Sequence, residues 1–91
     1  MVEINHPACS LLPCTCRAGR ALLDWTQEDL ATASGVSRST VREFENGHHY
    51  LHAASEAAII AALVDAGVTL VSLSEGPGVV LRSPPAAPPR R

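Results

Sequence analysis

Residues 26–47 read TQEDLATASGVSRSTVREFENG, and this stretch decides the fold. Thr26 is placed to cap a helix: its hydroxyl can accept from the backbone N–H of Asp29, while Glu28 and Asp29 bring negative charge to the positive end of the dipole. Leu30 and Ala31 form the inward side of that helix. Gly35 then supplies a left-handed C-cap, a conformation that carries no steric cost for glycine. Ser37 caps a second helix, RSTVREFEN, with Val41 and Phe44 three residues apart on its core side. Burying those two turns Arg38, Ser39, Arg42 and Glu43 outward.

Outward from this centre, Pro13 suits the first position of a preceding helix, where its missing N–H would be unpaired anyway. That helix, PCTCRAGRALLDW, carries Ala18, Ala21, Leu22 and Trp25 at three- and four-residue spacing, which predicts the buried stripe. Gly19 weakens it by about 1 kcal/mol relative to alanine. On the far side, HHYLH reads as a connecting loop and AASEAAIIAALVDA as a further helix, with Ala58, Ile59, Ala62 and Leu63 along one stripe and Gly67 as its stop. The period then changes. VTLVSL and GVVLR are short β-branched runs around SEGPG, a hairpin signal with four- to five-residue loop chemistry. The expected fold class is mainly α, a bundle of four to five helices with a short C-terminal β-hairpin. Residues 1–12 are expected to form an irregular arm, 13–67 the helical domain, 68–82 the hairpin and 83–91 a disordered proline-rich tail.

Ninety-one residues allow one small domain with a thin margin of stability. Trp25, Phe44 and Tyr50 are the only aromatics, so the core must be aliphatic. The net charge of −2 gives no general attraction to nucleic acid. Every basic residue is an arginine, the side chain suited to bidentate phosphate and guanine contacts. The longest apolar runs are too short to span a bilayer, and the first residues lack the pattern of a signal peptide, so a cytoplasmic protein with reduced cysteines is expected.

Two short helices joined by a glycine turn cross steeply and expose the N-terminal end of the second. Arginines there project from the one helix shaped to enter a major groove, with side chains that hydrogen-bond base edges or phosphates. Residues 16–66 resemble the Cro/lambda-repressor-like helix-turn-helix family, also called the XRE family. Thr26-Gln27, Leu30-Ala31, Gly35-Val36-Ser37, Val41, Phe44 and Glu45-Asn46-Gly47 carry the resemblance. The RAGRALLDWTQEDLA opening and the DAGVTLV…GPGVVLR ending are similar to small bacterial members that finish in a β-hairpin. The resemblance implies a transcriptional regulator, repressor-like, that binds double-stranded operator DNA, usually as a homodimer. It implies that Gln27 contacts a phosphate and braces the recognition helix, that Arg38, Ser39, Arg42 and Glu43 meet bases, and that the loop at Asn46 approaches the backbone. With Ser37 and Thr40 beside them, these form the expected DNA-binding set. It further implies a partly buried ion pair between Arg20 and Glu45.

Between Arg17 and Gly47 the acids outnumber the arginines by one, which makes each module slightly acidic and dimerisation more necessary. The same balance leaves open an antitoxin-like or adaptor role, holding a toxin or other protein partner. His6, Cys9, Cys14 and Cys16 do not match the paired spacing of structural zinc sites. Free thiols are expected, with Cys16 at a plain core position and a thiol- or metal-responsive regulator as a third alternative. His48, His49 and His52 follow the recognition helix; such a loop can bind metal or sense pH, but its imidazoles are expected to meet phosphate or water. No carboxylate pair, activated nucleophile or glycine-rich phosphate loop is present, so no enzyme, cofactor or metal is expected.

Overall fold

The computed structural model describes residues 3–4 and 11–82. Strand β1 (Glu3–Ile4) is followed by helices α1 (Pro13–Leu23), α2 (Gln27–Ser34), α3 (Arg38–Glu45) and α4 (Ala53–Asp65), then strands β2 (Val68–Leu73) and β3 (Gly76–Leu81). Local chemistry sets most helix ends. Thr26 Oγ1 accepts from Asp29 N–H at 3.0 Å, and the Asp29 carboxylate accepts in return from Thr26 N–H at 2.9 Å, a reciprocal cap. Gly35 closes α2 at φ 77°, its N–H donating to Ala31 O. Ser37 Oγ accepts from Thr40 N–H at the start of α3.

The core is aliphatic, with Leu30, Val41, Ile59, Leu63 and Val68 fully buried. Ile59, Ala62 and Leu63 of α4 lie on the inward stripe as expected, with Ala58 only half-buried. The stripe expected on α1 is different. Thr15, Cys16, Gly19 and Leu23 are buried there, whereas Ala21 and Leu22 are exposed. The reason is close approach: a Cβ on Gly19 would meet Leu63 at 3.3 Å and Val68 at 3.4 Å. Glycine is the point of contact here, so the helix turns a face that a hydrophobicity count overlooks. Asp24, in the left-handed region at φ 57°, ends α1 and folds Trp25 into the core.

The sheet is antiparallel in the order β1-β2-β3. The expected irregular arm therefore contains a strand, with Glu3 opposite Ser72 and Ile4 opposite Val71. Its end is also tied down, because Leu11 is buried and its N–H donates to Glu56 Oε2 at 2.9 Å. The loop between β2 and β3 is a tight turn at Ser74-Glu75, shorter than expected, with Leu73 opposite Gly76 and Gly76 at φ 139°. Val68, Leu70, Val79 and Leu81 share the face of the sheet that packs on the core, against both α1 and α4. The expected tail 83–91 lies outside the described residues.

Candidate nucleic-acid interface

Two polar networks organise α3, one on each side. On the core side Glu45 is 2% exposed. Its carboxylate accepts from Arg20 Nε at 2.8 Å and Nη2 at 2.7 Å, a bidentate pair. Gln27 Nε2 donates to the same group at 3.0 Å, and the Cys16 thiol donates at 3.0 Å. Arg17 Nη1 donates to the Glu45 backbone carbonyl, and Arg20 Nη1 to Trp25 O at 3.0 Å. One carboxylate thus joins α1, the start of α2 and the end of α3. Burial opposes ionisation of Glu45, but the bonds from Arg20, Cys16 and Gln27 hold its carboxyl below the usual carboxylate range. Burial first, and then the bond to Glu45, push the Cys16 thiol far above its ordinary value. Cys16 lies in the core as expected, and there it is also a neutral donor to a charged group.

The Arg20–Glu45 pair has the geometry that the resemblance implied. Gln27 braces α3 through Glu45, and its carboxamide also borders a shallow depression lined by Arg20, Thr26, Glu28 and Arg38.

The opposite side of α3 is open. Ser39, Glu43 and Asn46, at i, i+4 and i+7, lie across the helix from Val41 and Phe44. Arg38, Ser39, Thr40, Arg42 and Asn46 are exposed, and Glu43 is half-buried. Arg38 stands at the first turn. Arg42 Nε lies 3.8 Å from Glu43 Oε2, with its side chain half exposed. Ser37 and Thr40 are partly spent on each other, Ser37 Oγ donating to Thr40 Oγ1 at 2.8 Å.

Glu43 has a partner that the sequence did not reveal. Its Oε1 lies 2.8 Å from His48 Nδ1. The helix end creates this contact: Gly47, at φ 80°, donates to Phe44 O, and His48 N–H donates to Glu43 O at 2.9 Å. That pair of bonds is a Schellman closure, which folds the chain back over the last turn. Beyond it, His49, Tyr50 and His52 border a cleft whose other wall is Ser39, Thr40 and Glu43. Tyr50 is 99% exposed. The signal for the clamp was the Asn46-Gly47 stop, which places residue 48 over residue 43.

Among the described residues no group of three or more His, Cys, Asp or Glu side chains could hold a metal ion. Cys16 is buried and Cys14 is exposed, while His6 and Cys9 lie outside the described residues. Among the same residues no helix is long and apolar enough to cross a membrane.

Compared with known protein families, residues 17–62 match a model described as helix-turn-helix, just over half of the chain. The chain belongs to the Cro/lambda-repressor-like helix-turn-helix family. Membership makes it a DNA-binding helix-turn-helix protein of a regulatory family, with α2 and α3 as the motif helices. A search of curated proteins found no match.

Proposed function

We propose that the protein is a sequence-specific transcriptional regulator, repressor-like in action, that reads operator DNA with the outer face of α3. The observation that carries this reading is the pairing of the two sides of the helix. The buried Glu45 network fixes α3 to α1 and α2, while Ser39 and Asn46 stand exposed across the helix and Arg38 and Arg42 stand exposed along its flank. A reader must hold its side chains in place before contact, because ordering them on binding would lower affinity. Arg38, nearest the N-terminal end, suits bidentate contact with guanine O6 and N7. Gln27 and Asn46 suit contacts with the phosphate walls.

With as few cations as α1–α3 carry, phosphate contacts of one copy give weak affinity, so we assign the working species as a homodimer. β1 pairs with Val71 and Ser72 on one edge of β2. At the other side of the sheet β3 is the last strand, and Arg82 N–H donating to Gly67 O sets which of its groups point outward. By alternation these belong to Pro77, Val79 and Leu81, and only the last two carry an N–H. An edge without charges is suited to pair with its own copy. Selection of bound duplexes from a random pool tests the whole reading. The expected product is a palindromic site with half-sites about 34 Å apart, one turn of DNA. A pool with no enriched motif would reject sequence-specific regulation and favour a role in holding a protein partner such as a toxin.

A further inference from the structure

We infer that His48 couples DNA binding to proton uptake: it contacts a backbone phosphate through Nε2 while its Nδ1 remains bonded to Glu43. The inference rests on the reading that the outer face of α3 meets DNA. Three observations carry it. The first is the clamp itself. His48 is joined to Glu43 twice, by its backbone N–H at 2.9 Å and by its ring at 2.8 Å, so the imidazole is held against the side of α3.

The second is position. A helix with its side chains is about 10–12 Å across, and the major groove is about 12 Å wide. Whatever flanks an inserted helix therefore faces the sugar–phosphate walls. His48 flanks α3 with its side chain 63% exposed.

The third is the chemistry of the ring. A carboxylate only accepts hydrogen bonds, so Nδ1 must carry the hydrogen in the contact with Glu43. The hydrogen bond from His48 holds the Glu43 carboxyl below the usual carboxylate range, so it remains an acceptor near neutral pH. In a neutral imidazole with its hydrogen on Nδ1, Nε2 has a lone pair and repels a phosphate oxygen. Only the imidazolium donates from both nitrogens. A ring between a carboxylate and a phosphate must gain a proton to serve both. The proton comes from solvent, adds to Nε2, and no covalent bond breaks.

The other charged groups near this pair shift the balance without replacing it. Arg42, on the same helix, lies 3.8 Å from Glu43 Oε2, and His49 borders the cleft beside it. Arg17, from α1, is engaged with the Glu45 carbonyl. Where the start of α1 approaches the loop it offers Leu11, Leu12 and Pro13, none of them ionisable.

Since the complex holds more protons than its free components, affinity rises as pH falls, by up to about tenfold per pH unit for a single site. Anisotropy titrations of the full chain against its enriched duplex, at fixed ionic strength from pH 6 to 8, read this slope. The wild type should bind several-fold tighter at pH 6 than at pH 8. His48→Gln should flatten the profile, whereas His49→Gln and His52→Gln should keep it. Calorimetry in buffers of different ionisation enthalpy should show proton uptake that His48→Gln abolishes. A flat wild-type profile, or a slope retained in His48→Gln, would overturn the proton coupling and leave α3 as the reader. If neither Arg38→Ala nor Arg42→Ala changes affinity for the duplex at any pH, α3 does not meet DNA and the coupling fails with it.

Discussion

Glu43 and Glu45 stand two residues apart on one helix, and their surroundings give them opposite work. Glu45 is buried and receives hydrogen bonds from Arg20, Gln27 and Cys16 on two other helices. Glu43 is partly exposed, and among the described residues its ion-pair partners are near neighbours in the chain, Arg42 and His48. The first charge is part of the framework; the second is part of the surface that framework presents. The difference teaches that a carboxylate's role follows from who supplies its donors. Long-range donors make it a joint, and local donors leave it free to respond to a ligand.

Removing the joint gives the largest effect. Glu45→Ala leaves Arg20 without its carboxylate and should destabilise by about 3–5 kcal/mol, read as a large fall in denaturation midpoint. An unchanged midpoint would remove the ion pair from the framework. The next test is acid. Glu45 ionises more readily folded than unfolded, so its contribution is present above the ordinary carboxylate value of about 4.3 and is lost as pH falls through the folded value. Wild-type stability should therefore decline below that pH more steeply than that of Glu45→Gln. Parallel acid limbs would show that the buried charge is not what titrates.

A smaller loss is expected at the reciprocal cap that starts α2. Thr26→Ala should cost about 1 kcal/mol, checked by chemical denaturation. Smallest of all is Glu43→Ala, whose denaturation midpoint should stay close to that of the wild type, as for an ordinary surface change. A loss comparable to that of Glu45→Ala would erase the contrast between the two glutamates.

What was legible in the sequence was local. Thr26, Gly35 and Ser37 act within four residues of themselves, so the motif helices could be read from caps alone. The inward residues Leu30, Val41 and Phe44 followed from the same frame. The Arg20–Glu45 pair, 25 residues apart, came only from family resemblance. The buried face of α1 was misjudged because its contact point is Gly19, which contributes nothing to an apolar stripe. Strand β1 was invisible because two residues carry no period and owe their form to β2. The tight turn at Ser74-Glu75 lacks the Asn-Gly type of signal that marks such loops. Cys16 is core, but its donor role is not legible because the accepting carboxylate comes from another helix. His48 lay past the helix end, where periodicity stops and only the Schellman closure brings it back to Glu43.

The central claim, that α3 presents Arg38 as a reader of base sequence from a framework fixed at Glu45, is tested most directly by the affinity of Arg38→Ala for the enriched duplex and for a scrambled duplex at one salt concentration. The expected result is a loss of about 1–3 kcal/mol on the enriched duplex, with relaxed preference at one base position and a much smaller change on the scrambled one. An equal loss on both duplexes would contradict the claim, leaving Arg38 as a phosphate contact only.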